Sequence, residues 1–516
     1  MERIFTFGGS IPLATGQNAR KGTARFFTST KFLFLNIFLF LSVTVSGQLA
    51  YKERLEIPLL KNDTEFTVLP CSSDGVVMYR TRDGQSPNIE IILLDTAFQQ
   101  RWGGLIRVEP KYQLANQVVS NKKVYFLFAN KVYSDIHFLV FEVDLASGNY
   151  TRYVVRNFVP FRASAFEATA NGLLIGGYFA GRIPVVIFFD FLTQKSKVLP
   201  GLFNESGELL QISTESSGNF NVLINARNVS RQRTLWIKRY TAHGDLLQNE
   251  ILNPIESSSL LFGRALALNE NQQLIAGVYG QRNSDYSRGI FMAHLNEEDA
   301  SEPIYFPFAD LENFFKFMKV KREKRIKERI QRKKIKGKKI RFQYRFLVHE
   351  FVEYDDEYIL LGEAFYPRYR SVERSGYTGI NQSTMVFDGY QYTHAVIIGF
   401  SKEGELIWDN SFEINDVRTF TLEQFVKMDL QEDKIVLLYL FDSKIRSKII
   451  QNNTVLEGKS LSELNRHTYS PEGQKVGKLE YWYNGYFLAS GIQNIGRPGI
   501  GRQTRQIFFV NKIRFE

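Results

Sequence analysis

Short apolar runs separated by turn residues recur along most of this chain. The clearest example lies at Ala170–Pro200, where Asn171-Gly172 is a turn signal and two apolar runs follow, Leu173–Phe179 and Val185–Phe191. Each run is too short for a typical helix and is rich in β-branched and aromatic residues, so each is predicted to be a strand. The stretch therefore predicts an antiparallel hairpin.

The hairpin repeats along the chain. Successive first strands are spaced by 48, 49, 49, 52, 85, 76 and 52 residues. A period near fifty with about four short strands per unit is typical of a β-propeller, whereas a pair of β-sandwiches, the alternative, needs no constant period. The first strands begin near Val76, Val124, Leu173, Val222, Leu274, Ile359, Ile435 and Phe487. Their partners are Ile89–Leu94, Phe138–Val143, Val185–Phe191, Thr234–Tyr240, Gly289–Leu295, Ala395–Phe400, Lys444–Ile450 and Gln506–Lys512.

The pattern predicts an all-β chain, with residues 48–516 forming one propeller of eight blades. Seven blades are the alternative, because Lys444–Gly458 is polar for a pair of strands. The last repeat ends just after its third strand, and Arg54–Leu60 is a strand without a repeat of its own. We therefore expect Arg54–Leu60 to pair with Gln506–Lys512, which closes the ring without an open edge.

The first interruption of the period follows the fifth repeat, at residues 309–345. Asp310 is suited to cap a helix and Gly337 to end it, so a basic helix of about 25 residues is predicted between them. We expect its first turns to dock on the propeller through an apolar face. That face consists of Leu311, Phe314, Phe315 and Met318.

The second interruption lies inside the sixth hairpin, at residues 366–392. The segment is rich in Gly, Ser, Tyr and Arg. This composition is predicted to form a long ordered loop, a type of segment that often carries function.

Residues 1–47 are predicted to be a secretory signal with a long basic leader. Lys31 precedes the apolar run Phe32–Val45, and small residues follow up to Gly47. This order favours cleavage after Gly47 and export to the periplasm, the cell envelope or the medium. The alternative is an uncleaved membrane anchor at residues 32–47, although the run is short for a spanning helix.

Charge is distributed unevenly. The chain carries a formal net charge of +11, but residues 316–341 alone hold fifteen basic and two acidic side chains. Strands alternate in direction within a blade, so connections between second and third strands share a face with connections between blades. Both interruptions fall on that face. The second-to-third connections contain fifteen basic and six acidic residues, whereas the opposite connections are acidic.

Arginine-rich surfaces suit anionic ligands, because the guanidinium fork matches carboxylate, sulfate and phosphate groups. The alternative is an ordinary solvated surface, which is the better interpretation of any single arginine. The predicted binding residues are Arg282, Arg288, Arg368, Arg370, Arg374, Arg497 and Arg502 on the connections, with Lys333, Lys334, Lys338 and Lys339 on the helix.

Evidence for catalysis is weak. Glu373, Asp388, Tyr390 and His394 are close in sequence on the basic face and could serve acid–base chemistry on a uronic polymer. No motif requires it, and His349-Glu350 is interpreted as an ordinary strand position. Neither a metal site nor a cofactor is predicted, because the single cysteine, Cys71, and the scattered histidines have no ligand spacing.

The turn Ser401–Trp408, SKEGELIW, looks like the Gly-x-x-x-Trp turn of quinoprotein propellers. Together with the repeat, it makes residues 50–516 resemble exported bacterial β-propeller proteins with degenerate WD40-like or quinoprotein-like repeats. The Gly-His and Trp-Asp marks of WD40 repeats are absent. The turn occurs once, whereas quinoproteins repeat it, so pyrroloquinoline quinone is not expected.

The sequence is compatible with three functions. The first is an exported, non-enzymatic propeller, a monomer or part of a hetero-assembly, that binds an acidic glycan, a lipid head group at a membrane surface or an acidic protein. It could scaffold an envelope assembly. The second is a lyase or hydrolase that acts on an acidic glycan. The third is a nucleic-acid binder, which the predicted export disfavours.

Overall fold

The structure is a computed structural model, and it describes residues 49–515 apart from 61–62, 83–87, 133–135, 203–205, 216, 270–271, 297–300, 339, 341, 343, 376–380, 416, 442–443, 464–474 and 497–503. The strands in this part form eight antiparallel sheets, which are the blades of an eight-bladed β-propeller. The prediction of an all-β propeller with eight blades is confirmed. The predicted signal at 1–47 lies outside the described residues.

The first described strand, β1 (Leu49–Leu59), precedes the first blade. Blade 1 contains β2 (Thr67–Pro70), β3 (Val76–Arg82), β4 (Asn88–Leu94) and β5 (Gln100–Arg107). Blade 2 contains β6 (Tyr112–Ser120), β7 (Lys123–Asn130), β8 (His137–Asp144) and β9 (Tyr150–Arg156). Blade 3 contains β10 (Arg162–Ala168), β11 (Gly172–Phe179), β12 (Ile183–Asp190) and β13 (Ser196–Val198). Blade 4 contains β14 (Gly207–Thr214), β15 (Phe220–Arg227), β16 (Arg233–Tyr240) and β17 (Leu246–Leu252).

The second half of the ring follows the same plan. Blade 5 contains β18 (Ser258–Ala267), β19 (Gln273–Gln281), β20 (Ser287–Leu295) and β21 (Ile304–Pro307). Blade 6 contains β22 (Arg345–Tyr354), β23 (Glu357–Ser375), β24 (Asn381–Ser401), β25 (Leu406–Glu413) and the short β26 (Arg418–Thr419). Blade 7 contains β27 (Lys427–Gln431), β28 (Lys434–Phe441), β29 (Lys444–Gln451) and β30 (Thr454–Glu463). Blade 8 contains β31 (Lys475–Tyr483), β32 (Tyr486–Gly496) and β33 (Thr504–Phe515).

Apolar side chains fill the space between each blade and the next. Eight buried clusters are described, one for each junction around the ring. Between blades 3 and 4, for example, Phe188 and Phe220 stack with ring centroids 5.8 Å apart. Burying a side chain of this size stabilises the fold by about 1.5–3 kcal/mol. Each junction therefore holds two blades together.

The first and last described strands meet in blade 8. β1 is antiparallel to β33 and supplies the fourth strand of that blade, with Arg54 opposite Asn511 and Leu59 opposite Gln506. The predicted ring closure is confirmed. Trp482 of the same blade donates its indole N–H to the carbonyl of Gly75 in blade 1, at 3.0 Å. The first and last blades are therefore joined by packing and by a hydrogen bond.

First strands of neighbouring blades contact one another at six of the eight junctions, as expected for the strands that surround the central channel of a propeller. In six blades the first strand carries one extra residue relative to the second strand, at an equivalent position. Such β-bulges re-aim side chains and often lie beside functional sites. The extra residues are Ala115, Ser164, Leu210, Leu261, His349 and Gly477.

The inserted helix α1 spans Val320–Ile335. The prediction of a helix is confirmed, but its start at Asp310 is wrong, because turns occupy the residues from 308 to 318. The apolar residues of this segment still dock, since Leu311, Phe314 and Phe315 are buried. The predicted stop is close, with Gly337 just beyond the helix at φ +58°, a left-handed conformation that suits glycine.

The second insertion is a β-hairpin and not a loop. β23 and β24 continue past the blade as paired strands, with Tyr369 opposite Phe387 and Val372 opposite Thr384. We call the paired residues 366–375 and 381–392 the arm. Nowhere in the described ranges is there a helix long and apolar enough to cross a bilayer.

Candidate anion-binding face and central channel

The two insertions lie on the same face of the propeller. The first connects β21 to β22 between blades 5 and 6, and the second extends the β23–β24 connection inside blade 6. In an antiparallel blade the second-to-third connection emerges on the side where the chain passes to the next blade. The topology therefore makes the insertions neighbours, as the sequence predicted.

Side-chain contacts join the insertions. Phe317 stacks on His394 at the base of the arm, with 3.7 Å between ring centroids, while Phe314 and Tyr344 meet the imidazole edge-on. His394 is fully buried, and burial lowers its pKa to about 3. This candidate acid–base residue is therefore neutral at ordinary pH and packs the insertion against the blade.

A buried carboxylate anchors the turns that precede α1. Asp409 on β25 accepts the backbone N–H groups of Glu312 and Asn313, at 2.9 and 2.8 Å. The hydroxyl of Ser411 donates to the carbonyl of Asn313 at 2.8 Å. Burial raises the pKa of Asp409 while these hydrogen bonds lower it. The base of the insertion is thus fixed by polar contacts as well as by apolar packing.

Helix α1 presents most of its charge to solvent. It contains nine basic and two acidic residues, and among its residues Ile330 is the buried one. Lys327 pairs with Glu323 at 2.8 Å, and Lys334 pairs with Asp310. Of the predicted lysines, Lys333 is half-buried, Lys338 is exposed and Lys339 lies outside the described residues. The exposed basic residues of the helix are Lys321, Arg322, Lys324, Arg325, Arg329, Arg332 and Lys334.

Three arginines, two from the arm and one from β26, surround Asp388 of the arm. Asp388 accepts a hydrogen bond from Arg418 at 2.8 Å and lies 3.5 Å from Arg368 and 3.8 Å from Arg370. The carboxylate therefore neutralises part of this cluster, and the arginine side chains remain 45–67% exposed. Tyr390 packs against Phe365 and Phe387. The side chains of Glu373 and Arg374 lie outside the described residues.

Arg282 and Arg288 lie on another part of the same face. Arg282 donates to the carbonyl of Ser230, and Arg288 donates to the side chain of Gln281 at 3.2 Å. They lie on blade 5 and outside the arm. Arg497 and Arg502 lie outside the described residues.

The sequence did not reveal an exposed apolar surface formed by the arm and the adjacent Phe420. Tyr369, Met385, Val386 and Phe420 are 41–67% exposed beside the arginine cluster. An alternation of apolar and polar residues would have indicated paired strands here, but the polar composition of the segment obscured that pattern. Aromatic residues, methionine and arginine are common at protein interfaces.

The central channel holds a second set of polar groups that sequence reasoning missed. His349, the bulged residue of β22, has its Nε2 atom 3.0 Å from Glu363, whose carboxylate is fully buried. The carboxylate also accepts backbone N–H groups from Phe425 at 3.1 Å and Val426 at 2.6 Å. His349 does lie on a strand, as predicted, but this strand borders the channel. Spacing alone gives no signal of the bulge.

Among the described residues, no cluster of three or more His, Cys, Asp and Glu side chains could hold a metal ion. No protein-family model matches the chain, and no curated protein matches it in sequence. The resemblance to WD40-like or quinoprotein-like repeats thus extends to propeller-like repeats and no further.

Solved structures with similar architecture include polysaccharide lyase Uly1, at 9% identity and a TM-score of 0.40 over 90% of this chain and all of that one. The β-propeller domain of the Trilobed protease from Pyrococcus furiosus matches at 10% identity and a TM-score of 0.34, over 75% of this chain and 98% of that one. A prolyl endopeptidase matches at 9% identity and a TM-score of 0.39, over 85% and 55%. At this distance the likeness concerns the fold alone.

Proposed function

We propose that this protein is an exported propeller that binds an anionic partner through α1 and the arm. The observation that carries the proposal is the exposure of seven of the nine basic residues of α1, on a helix anchored to the ring at its base. Like charges this dense disfavour a helix in isolation, so an anionic partner would stabilise it. Acidic glycans, lipid phosphates and acidic protein surfaces share the required chemistry.

The test reverses charges that have no described acidic partner. Lys321, Lys324, Arg325 and Arg329 become Glu in one variant. The control variant reverses four exposed basic residues of blades 1–3, so the net charge changes equally. These are Arg101, Arg107, Arg156 and Lys195.

Binding is measured to polygalacturonate, to phosphatidylglycerol vesicles and to polyglutamate, with duplex DNA as the comparison. The helix variant should lose at least about tenfold in affinity for the preferred polyanion, and the control variant should lose far less. Binding should weaken with added salt, because exposed charges are screened within about 8–10 Å near physiological ionic strength. Equal losses in both variants, or failure of every polyanion to bind, would contradict the proposal.

His349 favours a second candidate function, an enzyme with acid–base chemistry in the channel. Its Nε2 atom lies 3.0 Å from the buried Glu363 carboxylate and has no hydrogen-bond partner of good geometry in the described part of the chain. A histidine close to a carboxylate is a common arrangement for a general base. Cleavage of polygalacturonate that disappears in His349→Ala, while that variant keeps its melting temperature, would favour this function over simple binding.

A further inference from the structure

A polar cavity of about 450 Å³ lies beside the inner strands of blades 2 to 5. This volume is within the usual range for small-molecule sites. Glu167 and Arg264 are its charged residues. The neutral polar lining includes Asn116, Ser164, Tyr178 and Gln211.

Glu167 and Arg264 occupy equivalent positions in their blades. Each lies three residues after the bulged residue of its inner strand, Ser164 in blade 3 and Leu261 in blade 5. Inner strands of successive blades run in the same direction, so equivalent positions lie at the same level of the channel. Blade 4 separates the two residues and places Ser213 at this position.

Neither charged group has a partner of opposite charge in the described part of the chain. Arg264 donates from Nε to the carbonyl of Val348 and from Nη1 to that of Leu210, both at 3.4 Å. Burial lowers the pKa of Arg264 and raises the pKa of Glu167 to about 7. Partly desolvated charges of this kind are costly unless something pairs with them.

Blade 8 provides a comparison at the same level. Glu480 lies three residues after the bulged Gly477, and it pairs with Lys427 at 2.8 Å. A carboxylate at this position can therefore form an ion pair with a lysine from the inner strand of the neighbouring blade, here β27 of blade 7. At Glu167 and Arg264 the fold instead leaves an acid and a base apart on the wall of one cavity.

We propose that the cavity binds a small zwitterion of the amino-acid or short-peptide class, with the carboxylate on Arg264 and the ammonium on Glu167. The guanidinium fork matches a carboxylate. A simple anion would leave Glu167 unpaired, and a simple cation would leave Arg264 unpaired. A ligand that carries both charges can pair with Glu167 and Arg264 at the same time.

Proton uptake and release provide a signature of this binding mode. The titratable groups along the cavity are Glu167, Arg264 and Tyr178, and burial raises the pKa of that tyrosine. Between pH 5 and 8 Glu167 is therefore the group that changes charge. A bound ammonium favours the ionised carboxylate, so binding near pH 7 releases protons. Affinity should fall about tenfold per pH unit below 7.

The experiment is calorimetric titration of the full-length chain with diglycine and triglycine, in buffers of different ionisation enthalpy. N-acetyl-diglycine lacks the ammonium, and diglycine amide lacks the carboxylate. Each capped peptide should bind about ten- to hundredfold more weakly than diglycine or triglycine, and Glu167→Gln and Arg264→Gln should cause similar losses. Glu480→Gln is the matched control and should bind like the parent chain.

Absence of binding by both free peptides would overturn the proposal, as would equal binding of a capped peptide and its parent. Proton uptake in place of release would also overturn it, because it would indicate an anion held by protonated Glu167. If Arg264→Gln fails to fold, the capped peptides and Glu167→Gln still decide the question. The charge-reversed α1 variant should bind the peptides as tightly as the parent chain does. The cavity proposal and the polyanion proposal are therefore tested independently.

Discussion

Phe317 and His394 stack face to face, with 8° between their ring planes. Phe317 belongs to the insertion between blades 5 and 6, and His394 belongs to β24 at the base of the arm. The imidazole lies in an aromatic enclosure that also includes Phe314 and Tyr344. This contact makes a titratable side chain part of the structural core.

Replacing His394 by Phe should make the protein less sensitive to acid. Burial lowers the folded-state pKa of His394 to about 3, whereas an unfolded histidine has a pKa of about 6.5. Between these values the unfolded chain binds the extra proton, so stability falls as the pH falls. His394 alone should lower the free energy of unfolding by about 1.4 kcal/mol for each pH unit in this range.

Urea unfolding at pH 7, 6, 5 and 4 should show that the free energy of unfolding falls more steeply with acid in the parent chain than in His394→Phe, by about 1.4 kcal/mol per pH unit. The difference between the chains isolates the histidine, because the other titrating groups are common to both. Parallel stability profiles would contradict the assignment.

Asp409→Ala should loosen the turns that precede α1. The substitution leaves the N–H groups of Glu312 and Asn313 without their acceptor, which costs about 2–3 kcal/mol. Trypsin should then cleave faster within residues 316–338. Asp310→Ala is the matched control, because Asp310 pairs with Lys334 at an exposed site, where a pair contributes about 1 kcal/mol or less. Similar digestion rates for both variants would count against the anchor.

Deletion of residues 49–59 should destabilise the whole ring. It removes β1 from blade 8, exposes the edge of β33 and unburies Leu59, at a cost of about 3 kcal/mol or more. Thermal melting and size-exclusion chromatography should show a lower melting temperature and self-association. A chain that begins at Gln48 is the control. An unchanged melting temperature after the deletion would refute the structural role of β1.

Cleavage after Gly47 should produce a mature protein that begins at Gln48. The basis is the order of Lys31, the apolar run Phe32–Val45 and the small residues after it. Mass spectrometry of the exported protein should find Gln48 at the N-terminus. Peptides from residues 1–30 in that fraction would exclude cleavage at this position.

The sequence predicted the blades because their middle strands are buried on both faces. The predicted starts at Val124, Leu173 and Val222 all lie in second strands, where most side chains are buried. Fourth strands such as β13 and β17 are short or half-exposed and give a weak apolar signal. The repeat was therefore visible even though many outer strands were not.

The wrong start of α1 has a specific physical cause. Leu311, Phe314, Phe315 and Met318 have helical spacing, but the N–H of Asn313 bonds to Asp409, 96 residues away in sequence. Such a long-range partner competes with the local helix and cannot be inferred from spacing. The channel site was missed for a related reason, since a bulge depends on the pairing of two strands.

The pairing of β1 with β33 also determines the stage of synthesis at which the propeller ring can close. Arg54 contacts Asn511 across 457 residues of sequence, so blade 8 cannot form until almost the whole chain has been synthesised. Closing a loop of this length is entropically costly, and contacts so distant in sequence slow folding. Until then β1 has no partner strand, and its unpaired edges can recruit other chains. We expect the nascent protein to depend on chaperones late, at ring closure, more than during formation of its individual blades.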